Sequence, residues 1–161
     1  MARQYDLPSS FPPIGILAPA ADTSARTSSY RTLKGAEKAW LVCRVNQTNA
    51  ATQQFIPLQA QDVSGTGSKA INATRIWLTN DNSTTDVLTA QTAAASFTTD
   101  ATTKDKLVVF EIVPETALDI ANGFKTIAIS TNGSNSANIT AAELVVWQRY
   151  QGADKISTLA N

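Results

Sequence analysis

The side chains that could carry catalysis are few and scattered. The chain has 161 residues, no histidine and a single cysteine, Cys43. Without histidine there is no ordinary nucleophile–base–acid triad, no imidazole metal ligand and no commonest general base. Cys43 sits inside the apolar run "WLVCRV", which suits a buried, inert thiol better than a nucleophile. Two carboxylates, Glu111 and Glu143, stand in strand-like segments. They could flank a glycosidic bond only if those strands were neighbours; otherwise each is a solvent-facing residue of a half-exposed sheet. "DNSTTD" (81–86) offers oxygen ligands for a hard cation, yet it lacks the spacing of a calcium loop and reads as a polar turn. "SGTGSK" (64–69) lacks the GxxxxGK[ST] spacing of a phosphate loop and joins two strands instead of opening a helix. Its Ser68–Lys69 pair is too small a fragment to define a dyad. No catalytic residue, cofactor or metal is expected, and the chain reads as a non-enzyme.

What must position these residues is a sheet. "LVVFEIV" (107–113) is followed by "PETALDIANGF" and then by the strand-like "KTIAIS". Strand candidates also lie in "AWLVCRV" (39–45), "QQFIPLQAQDV" (53–63), "AINATRIWLT" (70–79), "VLTA", "ASFTT" and "AELVVWQRY" (142–150). Turn-rich clusters separate them, as in a sandwich or barrel. Pro57 marks an edge or a bulge in its strand. One helical turn is expected at "PETALD", with Pro114 at its first position, and Asn122-Gly123 turns the chain into the next strand. About eight strands give an all-β fold: a two-sheet antiparallel sandwich, with a jelly roll among its forms.

Composition agrees with a globular body: 43% of residues are hydrophobic and only 16% charged. Thirteen basic residues balance thirteen acidic ones, so neither nucleic acid nor an anionic membrane is an expected partner. No apolar run approaches the ~20 residues of a membrane span. Trp40, Trp77 and Trp147 each lie in an apolar run, which points to the core; left on a sandwich face they would stack on sugar rings.

Residues 1–30 differ from the body. They hold four of the six prolines and isolated apolar residues with no clean period: Tyr5, Leu7, Phe11, Ile14, Ile16 and Leu17. The reading is an extended N-terminal arm (1–30), a sandwich domain (31–150) and a C-terminal tail (151–161). Ordering about twenty arm residues costs ~20–40 kcal/mol of backbone entropy. Six buried apolar side chains return only ~9–18 kcal/mol. The arm should order only where main-chain pairing or repeated contacts are added. In "LVVFEIV" both faces are largely apolar, so the second face needs a cover: the arm, a neighbour, or nothing.

"PLQAQDVSGTGSKAI" (57–71) and "KLVVFEIVPETALDIANGFKTIAIS" (106–130), in that order, resemble a group of small β-rich tailed-phage virion proteins of the head-decoration or capsid-cement kind. The likeness spans residues 35–150 and rests on scaffold motifs: Gln-Ala-x-Asp-Val-x-Gly at 59–65, Leu107 to Ile112, and Leu-Asp-x-x-Asn-Gly-Phe at 118–124. It implies a structural protein on the capsid exterior, present in the host cytoplasm during assembly. Its partners would be the major capsid protein and neighbouring copies of itself, and its action would be to clamp adjoining capsid subunits. The six arm residues would be the anchors, on the physical argument alone. The alternatives are a carbohydrate- or receptor-binding virion module and a connector or tail component.

Overall fold

The computed structural model describes residues 11–149 and 157–159. They form an all-β sandwich of two antiparallel sheets. The first sheet runs β1 (Ile14–Ala21), β12 (Ile139–Gln148), β4 (Ala36–Asn46), β10 (Asp105–Ile112), β7 (Thr74–Thr79), β8 (Thr89–Ala94). The second runs β2 (Arg26–Thr27), β11 (Thr126–Thr131), β5 (Gln54–Ala60), β6 (Lys69–Ala70), with β3 (Arg31–Thr32) beside β11 and β9 (Phe97–Thr98) beside β5. Twelve strands replace the eight expected, because β2, β3, β6 and β9 hold two residues each. Segments that short carry no period to read.

Alternation builds the core. On β4 the inward residues are Ala39, Leu41, Cys43 and Val45; on β10, Val108, Phe110 and Ile112; on β12, Ala142, Leu144 and Val146. The second sheet answers with Phe55, Ile127 and Ile129. Burial pushes the Cys43 thiol far above its ordinary range, since a thiolate there would have no water. That leaves it a packing residue.

The connections obey local chemistry. Pro114 opens α1 (Pro114–Ala117), where its missing N–H is no loss, and Glu115 occupies the first turn. Gly123, at φ 81°, then takes the left-handed position that ends the 3-10 turn Ile120–Asn122. In the 64–69 turn the Asp62 carboxylate accepts from the Ser64 and Thr66 amides at 2.9 and 3.1 Å. Gly65 there has φ 88°, and a Cβ would lie 2.8 Å from the Tyr30 ring. Pro57 costs no ladder bond: β9 reaches only Phe55 and β6 begins opposite Leu58, so its ring faces the gap between two short partners.

The arm is where sequence and structure part. Ile14 to Ala21 is not an extended leader but the edge strand β1, paired with β12 from Ile14↔Leu144 to Ala21↔Ile139. Ile16 and Leu17 are core residues, each 7% exposed, and Ile14 packs against that core. The main-chain pairing that the entropy argument demanded is supplied by the chain's own β12. The boundary between arm and sandwich therefore falls before Ile14 and not at 30, since β2 and β3 also belong to the second sheet. Tyr5 and Leu7 lie outside the described residues. So does most of the 151–161 tail; of its described residues, Thr158 accepts a hydrogen bond from the Thr32 amide at 3.0 Å.

Six carboxylates are held below their usual range: Asp62 by the Thr66 hydroxyl, Asp81 by the Ser83 hydroxyl, Asp100 by Lys106, Asp105 by Arg44, Glu111 by Lys38 and Asp119 by Lys69. Such groups stabilise the fold above their unfolded pKa, and that contribution is lost as pH falls through the folded values. Asp22 is shifted upward by burial and acts in the opposite sense. With six against one and no histidine in the chain, the melting temperature should be flat between about pH 6 and 8 and fall below about pH 4. Scanning calorimetry across that range tests this; a steep change near neutrality would contradict it.

Candidate docking face

The outward side of the first sheet carries the residues left over after the core is filled. Register fixes the rows. Val145, Trp40, Glu111 and Arg75 lie side by side across β12, β4, β10 and β7. The next row is Glu143, Val42, Val109, Trp77 and Ala90, reaching β8. Beyond Val145, Trp147 lies opposite Lys38.

All three tryptophans are therefore outside the core, against the sequence expectation. The reason is parity. On β4 and β12 the inward positions belong to Leu41 and Cys43 and to Leu144 and Val146, so Trp40 and Trp147 fall on the other face. Trp77 follows Ile76, which is inward. An apolar run does not say which of its two parities faces in; here the smaller aliphatic residues do. Trp40 and Trp77 are half-buried by their neighbours, and Trp147 is 42% exposed. Among the described residues no second layer covers this face.

One polar group is fixed within the apolar field. Lys38 reaches Glu111 at 2.5 Å, and the Trp77 indole N–H donates to the other Glu111 oxygen at 3.2 Å. Lys38 also stands 5.7 Å from the centre of the Trp40 ring, a cation–π distance. Lysine first and indole second hold the Glu111 carboxyl below its usual range. Glu111 is thus a tethered anion, not a proton donor. Glu143 faces outward on β12 but β4 lies between it and β10. Two strand spacings, about 10 Å, with a two-residue offset, put the pair beyond the separation of glycosidase carboxylates, ~5–9.5 Å.

Of the expected anchors, Phe11 joins this face. Its ring meets Trp147 edge-on, with centroids 6.3 Å apart. Ile14, Ile16 and Leu17 do not join it, being committed to β1 and the core. Phe11, the first described residue, thus stands at the rim of this face.

The other sequence candidates resolve into ordinary structure. Asp81 accepts from the Ser83 amide and hydroxyl and pairs with Lys104 at 3.2 Å, so the 81–86 loop is a self-satisfied turn. Among the described residues no three carboxylates or thiols gather as metal ligands. Lys69 pairs with Asp119 at 2.6 Å and lies 4.2 Å over the Phe124 ring, while the Ser68 hydroxyl bonds the Tyr30 hydroxyl. The two neighbours thus have separate partners.

No protein-family model matches the chain, and no curated protein matches it. Among solved structures it is similar to one titled "Crystal structure of SPBc2 prophage-derived protein YomS", at 12% identity and a TM-score of 0.44, over 83% of this chain and 90% of that one.

Proposed function

We propose that this protein is a non-enzymatic virion protein that docks on the outside of a phage head and ties adjoining capsid subunits together. The observation that carries the reading is the outer face of the first sheet, which no described residue covers as a second layer, with Phe11 on Trp147 at its rim. Tryptophans gripped by strand neighbours lose little freedom on contact, so such a face binds at low entropic cost. Residues 1–10 bring Tyr5 and Leu7 to a second capsid subunit while the sheet sits on the first. The likeness of residues 35–150 to capsid-cement proteins agrees with this arrangement. Each copy needs only modest affinity, because bridging makes the second contact intramolecular.

The pairing of β1 with β12 sets the test. Removing residues 1–20 would strip β1 and bare Ile16 and Leu17, so it would report on folding. Removing residues 1–10, or making Trp147→Ala, leaves every core residue among the described residues in place. Binding to undecorated heads of the phage that encodes the chain, measured by co-sedimentation, should fall about tenfold or more for either change, as for a central aromatic contact. Unchanged occupancy by both variants would remove this face and the segment from the mechanism.

A second reading is favoured by the outward tryptophans: a carbohydrate- or receptor-binding virion module using Trp40 and Trp77 as stacking platforms. It predicts retention on a glycan array that is lost in Trp40→Ala and Trp77→Ala while head binding persists. Labelled particles seen by electron microscopy separate head from tail placement.

A further inference from the structure

Two surface features at opposite ends of the sandwich complement each other. One is a cleft of about 340 Å³ beside the end of β10, floored by Leu33, Leu118, Ile120 and Phe124. Lys34, Lys125, Arg149 and Glu115 stand around it. Arg149 is already occupied, by Glu37 at 3.0 Å and Glu115 at 2.6 Å. Lys34 and Lys125 have no carboxylate partner among the described residues. The site is thus apolar within and carries two unanswered cations at its mouth.

The other feature is the loop before β8. Val87 is 62% exposed and Leu88 39% exposed, two of the few large aliphatic residues left in water. Asp86, next to them, is exposed and has no cationic partner among the described residues. An acidic residue followed by two aliphatic ones fits an apolar cleft ringed by lysines in both charge and polarity. The two features cannot meet within one chain. The loop sits at the start of β10, where the Asn82 amide donates to the Asp105 carbonyl at 2.7 Å, and the cleft begins at Pro114, past its end. The eight residues of β10 span about 25 Å.

We propose that Asp86-Val87-Leu88 of one copy seats in the Lys34/Lys125 cleft of the next, so that copies of this chain join head to tail. Val87 and Leu88 enter the apolar floor, and Asp86 stays at the rim between the two lysines. Because donor and acceptor surfaces differ, the contact is heterologous: it closes into a ring when the rotation allows, and otherwise extends. A loop in a cleft buries less than the ~1,000 Å² of a stable pair, so single contacts are weak and closure or a capsid lattice supplies the rest. Neither surface overlaps the docking face, so the proposal stands apart from the capsid reading.

The test uses the purified full chain alone. A mixture of ¹⁴N- and ¹⁵N-labelled protein at high concentration is treated with a zero-length carbodiimide, which joins a carboxylate to an amine. Mass spectrometry should find Asp86 linked to Lys34 or Lys125 in mixed-isotope peptides. Sedimentation should show concentration-dependent association, weakened about tenfold or more by Asp86→Lys and comparably by Val87→Asp. The combination Asp86→Lys, Lys34→Glu, Lys125→Glu should restore it, which a loss of folding would not. A chain that stays monomeric to millimolar concentration, mixed-isotope links at other sites, or an Asp86→Lys variant that associates normally overturns the proposal. The cleft then belongs to a different occupant.

Discussion

Replacing Phe110 with alanine is expected to cost about 3–5 kcal/mol of folding stability. Phe110 is fully buried at the middle of the first sheet, with Leu41 beside it on β4 and Ile76 beside it on β7. All three point inward against the second sheet, where Phe55, Ile127 and Ile129 meet them in one core. Two hydrogen-bonded sheets cannot collapse into the space a lost ring leaves, so the cavity cost adds to the lost transfer energy. A domain of this size has ~5–15 kcal/mol in all, so the variant loses a large share of its stability. Urea unfolding of the two proteins measures the difference, with Phe110→Leu as a volume-sparing control expected to cost under about 1.5 kcal/mol. A cost below about 1 kcal/mol for the alanine variant would mean that the sandwich is not organised around this strand.

That "LVVFEIV" and "AWLVCRV" are central strands was readable from the sequence, because their apolar runs are local and strong; that Phe110 faces the core was not, because both faces of its run are largely apolar. Nor was the edge strand β1. Its pairing with β12 has register shifts between Gly15 and Leu17 and between Leu17 and Ala20. A bulge puts an extra residue into the strand, which is how the adjacent Ile16 and Leu17 are both buried. The period of two is thereby erased, and Pro12, Pro13 and Pro19 complete the look of a coil. Its partner is more than a hundred residues away, so nothing nearby signals the pairing. The polar end of the interior was equally hidden. Gln47, Gln53, Asn138 and Thr140 are almost wholly buried, yet their polar side chains give no sign of it in the sequence. Their burial is explained only by partners brought together by the fold, such as the Asp100 and Ala51 carbonyls that accept from the Gln47 amide. On the docking face the apolar rows were legible and the inward parity was not. The cleft was invisible, since its walls come from three separate stretches of chain.

Substituting Arg26 with alanine should cost about 2–4 kcal/mol, about 1 kcal/mol under the range for breaking a fully buried pair because the arginine is partly solvent-exposed. Its guanidinium donates to the Ala18 carbonyl at 2.9 Å, the Ala20 carbonyl at 3.2 Å and the Thr140 carbonyl at 3.0 Å, and meets Asp22 at 3.3 Å. Arg26 lies on β2, opposite Thr131 of the second sheet, so one side chain ties the second sheet to β1 and β12 of the first. Asp22 is fully buried, and its second oxygen has no partner. Burial raises its pKa, with the Thr140 hydroxyl and Arg26 acting against that rise. Without Arg26 the rise grows. A raised carboxyl favours the fold at pH below its unfolded value, and that benefit is lost as pH climbs through the folded value. The deficit of Arg26→Ala should therefore be smallest in acid, where only the carbonyl bonds and packing are lost, and grow as pH rises above about 4. Asp22→Asn made together with Arg26→Ala should cost less than the sum of the two single changes, because the stranded charge is gone. Arg26→Lys should recover little, since an ammonium cannot span three carbonyls held in different directions. Denaturation midpoints at several pH values decide the matter: a deficit independent of pH, or strict additivity with Asp22→Asn, would mean the arginine acts through its carbonyl bonds and packing and not through Asp22. Hydrogen exchange adds the functional consequence. The Ile16 and Leu17 amides should lose protection in Arg26→Ala before those of β10 do. Phe11 lies just before β1 and packs on Trp147, so a loosened edge strand would disturb the rim of the docking face without substituting a residue on it.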